Sequence, residues 1–233
     1  MRAILLAAGF GTRLQPLTSL TPKCLVPINS KPLLDIWLDK LTFAGIGPFI
    51  VNTHYLADQV SNYIKRSRYQ ASVSLVYESN LLGTAGTLIK NKDFFCGEDG
   101  MLIHADNYCG DNLVGFLEAH ENRPPSCLMT MMTFRTDTPS SCGIVKTNDR
   151  GIVVEFYEKV LSPPSNLANG AIYILSKEMI KYISKHFNSA KDFSEEILPK
   201  FTGKIFSYET SGIFMDIGTP EKYKLANNFD AKK

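Results

Sequence analysis

The chain has 233 residues, with 25 Lys and Arg against 23 Asp and Glu for a net charge of +2, and 44% of its residues are apolar. That near balance argues against a nucleic-acid-binding protein, whose electrostatic footprint is strongly basic. No apolar run approaches the ~20 residues of a membrane span, and Gly9, Gly11 and Arg13 interrupt the first apolar segment too early for a signal peptide.

In chain order, Ala3–Leu6 predicts a strand, and Ser30–Gly45 a helix whose Leu34, Trp37, Leu38 and Leu41 follow the spacing of one buried face. Phe49–Asn52 predicts a second strand, Leu56, Val60, Tyr63 and Ile64 a second helix, and Ser72–Tyr77 a third strand. Gly83–Phe95 reads as a helix and Met101–His104 as a fourth strand. This alternation predicts an α/β fold with a mostly parallel sheet covered by helices on both faces.

The second half reads differently. Strands near Cys127–Phe134, Gly143–Lys146, Val153–Phe156 and Ala171–Leu175 follow one another with little helix between them, which predicts an antiparallel addition. Ser176 suits the N-cap of a helix carrying Met179, Ile180, Ile183 and Phe187. A late strand, Ile213–Ile217, leads to a helix start in which Thr219 is the cap, Pro220 the first helical residue and Glu221 the acidic residue of the first turn. The breaker cluster Leu161-Ser162-Pro163-Pro164-Ser165 falls between strands, so a single domain over residues 1–233 is expected. The five cysteines (Cys24, Cys96, Cys109, Cys127, Cys142) are odd in number and form no C-x-x-C pair. Reduced thiols in a cytoplasmic protein are therefore expected, rather than a disulfide framework or a zinc site.

The stretch Ala8-Gly9-Phe10-Gly11-Thr12-Arg13-Leu14 leaves the carboxyl end of the first strand, where open α/β sheets bind ligands. It is not a dinucleotide fingerprint, because Leu14 stands where the third glycine is needed, and it lacks the Gly-Lys-Ser/Thr of a P-loop. Two glycines let backbone N–H groups approach an anion. Arg13, and Lys23 in Thr21-Pro22-Lys23, add fixed charge suited to phosphate oxygens. On glycine spacing alone, a turn with two solvated cations explains the stretch equally well.

The longer run Gly9-x-Gly11-Thr12-Arg13-Leu14-x-Pro16-Leu17-Thr18-x-x-Thr21-Pro22-Lys23 resembles the signature of the sugar-1-phosphate nucleotidyltransferases. Further stretches match that family in order: Leu82-Gly83-Thr84-Ala85-Gly86, Ala105-Asp106-Asn107, Phe156-Tyr157-Glu158-Lys159, Asn169-Gly170-Ala171-Ile172-Tyr173 and Asp216-Ile217-Gly218-Thr219-Pro220. The resemblance implies a Rossmann-like α/β/α sandwich carrying a sugar-binding antiparallel β region. Residues 1–125 would be mainly nucleotide-binding, and 126–233 would mainly bind sugar phosphate and supply the second metal carboxylate.

It also implies a reaction: a sugar 1-phosphate oxygen attacks the α-phosphorus of a nucleoside triphosphate and releases pyrophosphate. Arg13, Lys23, Asp106 and Asp216 would be catalytic, the two aspartates holding Mg²⁺. Each aspartate taken alone could equally cap a turn. Nucleotide contacts would come from Leu6, Ala7, Ala8, Gly9, Gly11, Thr12, Arg13, Lys23, Glu78, Gly83 and Thr84. Sugar-phosphate contacts would come from Asn107, Gly143, Glu158, Lys159 and Asn169. Val160 follows Lys159 where the family usually has proline, and Asn169-Gly170-Ala171 replaces the usual Asn-Ala-Gly or Asn-x-Gly.

Glu78 closes a strand near the expected base pocket. One carboxylate can accept both the N1–H and the exocyclic amine of guanine, whereas thymine and uracil offer a single donor between two carbonyls. GTP is therefore the favoured nucleotide, with uridylyl, thymidylyl or cytidylyl transfer as alternatives and a solvated strand-end carboxylate as the plain reading of Glu78. A nucleotide-sugar-sensing subunit is the non-enzyme alternative. His54 and His104 read as packed or hydrogen-bonded residues, and Lys232-Lys233 as a solvated terminus. No hexapeptide repeat follows Asp216, so neither the β-helical acyltransferase domain of some relatives nor control through it is expected. Many relatives oligomerise, so a homo-oligomer is compatible with the resemblance.

Overall fold

The computed structural model describes residues 1–230; Lys232 and Lys233 lie outside the described residues. The chain opens with β1 (Arg2–Leu6), β2 (Pro27–Ile28), β3 (Lys31–Pro32), α1 (Leu33–Phe43), β4 (Phe49–Thr53), α2 (Ala57–Arg66) and β5 (Val73–Tyr77). It continues through α3 (Gly83–Lys90), β6 (Gly100–His104), β7 (Asn107–Cys109), α4 (Val114–Glu121), β8 (Met129–Arg135), β9 (Gly143–Thr147) and β10 (Val153–Glu158). Last come β11 (Leu167–Leu175), α5 (Lys177–His186), β12 (Ile205–Glu209), β13 (Phe214–Asp216) and α6 (Pro220–Asp230).

These elements form two compact units that interleave in sequence. One contains residues 3–81, 103–112 and 212–230; the other contains 1–2, 82–102 and 113–211. Strand β6 begins in the second of these and ends in the first.

In the first unit, β1 pairs β4 and β4 pairs β5, both parallel and in regular register. The β4 residues Phe49–Thr53 are all buried, as expected of a strand covered on both faces. Helix α1 buries Leu34, Trp37, Leu38 and Leu41 as their spacing requires, each contributing roughly 1.5–3 kcal/mol of hydrophobic stabilisation. It begins at Leu33 rather than Ser30, because Lys31–Pro32 pairs back on Pro27–Ile28. Helix α2 buries only Val60 and Ile64 of its four predicted apolar positions; Leu56 is the left-handed residue before its first turn.

The second unit is mainly antiparallel: β10 on β9, β9 on β11 and β11 on β8, with β12 added parallel to β8. Ser176 caps α5 by accepting the Met179 N–H at 3.1 Å. The fold is thus α/β on a mixed sheet. No helix among the described residues is long and apolar enough to cross a membrane, and the five cysteines are free.

Candidate active site

The glycine loop starts where β1 stops. Leu6, opposite Asn52, is the last β1 residue in register with β4, and the Asn52 Oδ1 accepts the next N–H, that of Ala7, at 2.7 Å. Gly11 turns the chain with φ 66°, a conformation glycine adopts without steric cost. A Cβ there would also lie 2.9 Å from Thr18 Cγ2 and 3.3 Å from Lys23 Cβ. The Thr18 hydroxyl donates to the Gly11 carbonyl at 2.7 Å, closing the loop on itself. Thr12–Leu14 forms a 3₁₀ turn that buries Leu14 and leaves the Arg13 side chain 68% exposed. Ala8 is buried, while Gly9 and Thr12 are exposed. Phe10 packs its ring on His54 and Tyr55, with centroids 5.4 and 5.7 Å away.

Pro22 leads Lys23 into a further 3₁₀ turn, with Leu25 N–H on the Pro22 carbonyl at 2.8 Å. The Lys23 side chain, 8% exposed, reaches two carboxylates: Nζ lies 2.9 Å from Asp106 Oδ2 and 3.1 Å from Asp216 Oδ1. Asp106 follows the end of β6, and Asp216 ends β13. They meet because β13 pairs antiparallel with β7, setting Asp216 opposite Asn107, the neighbour of Asp106. Asn107 is itself buried, and its carbonyl accepts the Trp37 indole N–H at 2.8 Å. Arg13 Nη2 completes the set 3.3 Å from the other Asp216 oxygen, Oδ2. Four residues expected from three separate motifs therefore form one ion-paired cluster within the first unit.

Electrostatics follow from this geometry. Burial pulls the Lys23 ammonium's pKa down, but the charges of Asp106 and then Asp216, with their hydrogen bonds, outweigh it and hold it above its ordinary value. Burial pushes the Asp106 carboxyl up; Lys23, then His104, reverse that and hold it below the usual carboxylate range. Two carboxylates converging on one cation-sized point are hard oxygen donors and fit a divalent metal ion. Among the described residues no three His, Cys, Asp or Glu gather into a metal site, so the remaining ligands of such an ion would be phosphate oxygens and water.

Glu78 follows β5 in the same unit and is 2% exposed. Its Oε1 accepts the Asn52 Nδ2–H at 3.0 Å, and its carbonyl lies 2.7 Å from His54 Nδ1. His54 is thus a hydrogen-bonded, packed residue, and His104 is half-buried at the end of β6.

The second unit holds the other predicted positions. Glu158 ends β10 opposite Gly143 of β9, and Lys159 Nζ lies 3.0 Å from Glu158 Oε1. The hydrogen bond to Glu158 is the main cause holding the Lys159 ammonium above its ordinary pKa. A Cβ at Gly143 would lie 2.7 Å from Glu158 Oε2, so glycine there is what admits the carboxylate. Asn169 spends its amide locally: Oδ1 accepts the Ala171 N–H at 2.9 Å and Nδ2 donates to the Tyr173 hydroxyl at 2.8 Å. The Asn-Gly-Ala order places Ala171 at φ 53°, a left-handed conformation that favours glycine, and the Asn169 bond to its N–H supports that turn. Gly83 (φ 78°) starts α3 with no room for a Cβ beside the Lys191 carbonyl. The Thr84 hydroxyl accepts the Phe193 N–H at 2.7 Å, so both residues anchor a neighbouring segment.

The sequence pointed neither to a part for Asn52 in the loop nor to the packing of the Phe10 ring. The signal available for Asn52 was a lone amide ending an otherwise apolar strand.

The chain is similar to known proteins over nearly all of its length. The nucleotidyl transferase family model matches residues 2–233. A Sulfolobus acidocaldarius protein provisionally named a mannose-1-phosphate guanyltransferase is 31% identical over 226 residues, covering 97% of this chain and 62% of the relative. Among solved structures, a Bacillus anthracis protein provisionally named a glucose-1-phosphate thymidylyltransferase, in complex with a sucrose, has a TM-score of 0.85 at 25% identity, covering 98% of this chain and 94% of that one. HddC from Yersinia pseudotuberculosis, complexed with GMP-PN, has a TM-score of 0.81 at 27% identity, covering 98% of this chain and 99% of that one. The chain spans about three-fifths of the length of the curated relatives it matches. It belongs to the nucleotidyl transferase family.

Proposed function

We propose that the protein transfers a nucleotidyl group from a nucleoside triphosphate, GTP in the first place, to a sugar 1-phosphate. The observation that carries this reading is the convergence of Arg13, Lys23, Asp106 and Asp216 beside the glycine loop. In the reaction an oxygen of the sugar phosphate forms a bond to the α-phosphorus while the bond to the bridging oxygen of the β-phosphate breaks. The electron pair leaves with pyrophosphate. The nucleophile is already an anion, so positioning and charge neutralisation carry the catalysis and no base is needed.

Arg13, the most exposed of the four, suits the outer phosphates and the departing pyrophosphate. Lys23 suits the phosphate nearest the reacting centre, where its charge is held by two carboxylates. Asp106 and Asp216 would hold Mg²⁺, which when bound supplies Lewis-acid neutralisation of phosphate oxygens. Leu6, Ala7, Ala8, Gly9, Gly11 and Thr12 are each proposed to contact the nucleotide, as are Gly83 and Thr84. Glu158 is proposed for the sugar hydroxyls and Lys159 for the sugar phosphate, and Gly143, Asn107 and Asn169 are each proposed as further sugar-phosphate contacts. The cytoplasm, where thiols stay reduced, suits the five free cysteines.

Support for guanine comes from the relatives: HddC is complexed with GMP-PN, and a Drosophila melanogaster relative is named mannose-1-phosphate guanylyltransferase catalytic subunit beta. Glu78, 2% exposed, is held by Asn52. The thymidylyltransferase name among the structural neighbours keeps dTTP as the second candidate. Five nucleoside triphosphates crossed with a panel of sugar 1-phosphates, with Mg²⁺ and a pyrophosphate readout, test the proposal. Turnover with GTP and a mannose-like or heptose 1-phosphate is expected. Silence with every pair overturns the enzyme reading, and turnover with dTTP or UTP alone overturns the guanine preference.

A further inference from the structure

The geometry points to Asn52 as a positioning residue that couples the Glu78 carboxylate to the trajectory of the phosphate-binding loop. Three adjacent parallel strands end side by side: β1 at Leu6, β4 at Thr53 and β5 at Tyr77. The Asn52 side chain, 4% exposed, bridges the first residue after β1 to the first residue after β5. Its Oδ1 takes the Ala7 N–H at 2.7 Å, the first N–H beyond the regular ladder. Its Nδ2 donates to Glu78 Oε1 at 3.0 Å.

The two bonds fix each other's sense. Ala7 offers only a donor, so the amide oxygen must face it. The amide nitrogen must then face Glu78, where a carboxylate is the matching acceptor. Ala7 lies two residues before Gly9, so its direction sets how the loop leaves the sheet and where Arg13 is carried. Glu78 acts on the loop through Asn52. A loop held before ligand arrives spares the substrate the entropy of ordering it, and a displacement of the order of 1 Å at such a loop can cost about 100-fold in rate.

This inference rests on the nucleotidyl-transfer reading for its effect on turnover, but not for its effect on the loop, so two readouts separate them. Hydrogen exchange across residues 7–13 reports the loop directly, and pyrophosphate release reports kcat and KM. Asn52→Leu, which fills the space without a polar group, is expected to speed exchange at Ala7 about tenfold, the ratio one net hydrogen bond sets. It should lower kcat about tenfold or more while leaving KM for the sugar phosphate unchanged. Asn52→Asp keeps the acceptor for Ala7 but opposes one carboxylate to another, so exchange should rise there too.

The decisive variant is Asn52→Asp combined with Glu78→Gln. The glutamine amide then donates to the new carboxylate, one negative charge remains in the pair and the Ala7 bond is restored with donor and acceptor exchanged between the two side chains. Recovery of slow Ala7 exchange in this double variant is expected and needs no catalytic activity to be seen. It also decides the matter if Asn52→Leu does not fold. Wild-type exchange and kcat in Asn52→Leu, or failure of the folded double variant to recover Ala7 protection, overturns the inference. A wild-type protein silent on every substrate pair, with the exchange pattern as expected, would instead overturn the nucleotidyl-transfer reading alone.

Discussion

Gly218 carries no charge and no reactive group, so Gly218→Ala perturbs the cluster by geometry alone. A Cβ at this position would lie 2.8 Å from Asp216 Oδ1, 2.9 Å from Arg13 Nη2 and 3.1 Å from Arg13 Cζ. Ordinary contact begins near 3.4 Å, so the Asp216 oxygen must retreat by about 0.6 Å and the guanidinium by about half that or more. Oδ1 is the oxygen that holds Lys23 Nζ at 3.1 Å, so a retreat of that size disturbs the length and angle of this contact. The backbone has no part in the effect, since Gly218 is not among the positive-φ glycines. The displaced groups are the far ends of half-exposed side chains, so stability should change by roughly 0.5 kcal/mol or less, a shift of about 1–2 °C in Tm. Turnover should fall about tenfold or more, because misplacement by a sizeable fraction of an ångström at a reacting centre is costly. Thermal melts and pyrophosphate release at saturating substrates test both halves. A variant with wild-type kcat would refute the claim that the Arg13–Asp216–Lys23 geometry matters to the chemistry.

Lys23→Met should lower kcat by about 100-fold or more, as the loss of a fixed charge on a phosphoryl-type transition state does. Its stability difference from wild type should depend on pH at both ends. Asp106, held below its ordinary value of 3.8, contributes stability above that value and loses it as pH falls through its lowered pKa. Lys23, held above its ordinary 10.5, contributes below that value and loses it as pH rises through its raised pKa. The Tm difference should therefore be level between about pH 5 and 9 and close on either side; a difference insensitive to both extremes would contradict the ion-pair account. Gly143→Ala should push Glu158 Oε2 from its 2.7 Å approach and raise KM for the sugar phosphate more than KM for the triphosphate, a split that steady-state kinetics would show or deny. His120→Ala removes a buried ring bonded to Thr130 Oγ1 at 2.9 Å and Asp99 Oδ2 at 3.2 Å. The cost should be about 3 kcal/mol, or roughly 6–12 °C in Tm, with kcat unchanged at 25 °C.

The ion-paired half of the candidate site was legible through the family resemblance, since taken singly these residues read equally well as turn caps and solvated cations. Arg13 and Lys23 are cations near glycines, and Asp106 and Asp216 are carboxylates at strand ends. What the sequence could not give was the pairing of β7 with β13: three residues each, Asn107–Cys109 and Phe214–Asp216, are too short to show a period. Helix α4 was hidden by Gly115, a residue unfavourable in a helix interior. Its place is explained by the Tyr208 hydroxyl, which a Cβ there would meet at 2.6 Å. Strand β12 joins β8 in parallel, a long-range pairing with no local mark. The division into units was also beyond sequence reading, since the chain enters the first unit three times and Asp216 joins Arg13 across the length of the protein. Glu78 was recognised as a strand-end carboxylate, but its burial and its bond to Asn52 depend on β4 and β5 lying side by side.

The cluster also predicts how its ligands bind together. Arg13 and Lys23 supply two positive charges, Asp106 and Asp216 two negative ones, and every one of them has a partner in the ligand-free chain. A metal ion alone would have to take the carboxylates from Lys23 and strand a buried ammonium. A triphosphate alone would take the cations and leave two carboxylates opposed. Each displacement costs what the other ligand restores, so the two should bind with positive coupling, and by linkage each raises the affinity of the other equally. Calorimetric titration of Mg²⁺ alone, a non-hydrolysable triphosphate alone and each in the presence of the other measures this. Affinity should rise tenfold or more in the ternary case, a coupling of about 1.4 kcal/mol. The same titrations with Lys23→Met should show tighter Mg²⁺ binding without nucleotide, because the competing ammonium is gone. The nucleotide's own association with Mg²⁺ in solution must be measured separately and subtracted, and additive binding after that subtraction would contradict the exchange of partners that the Lys23 bridge implies.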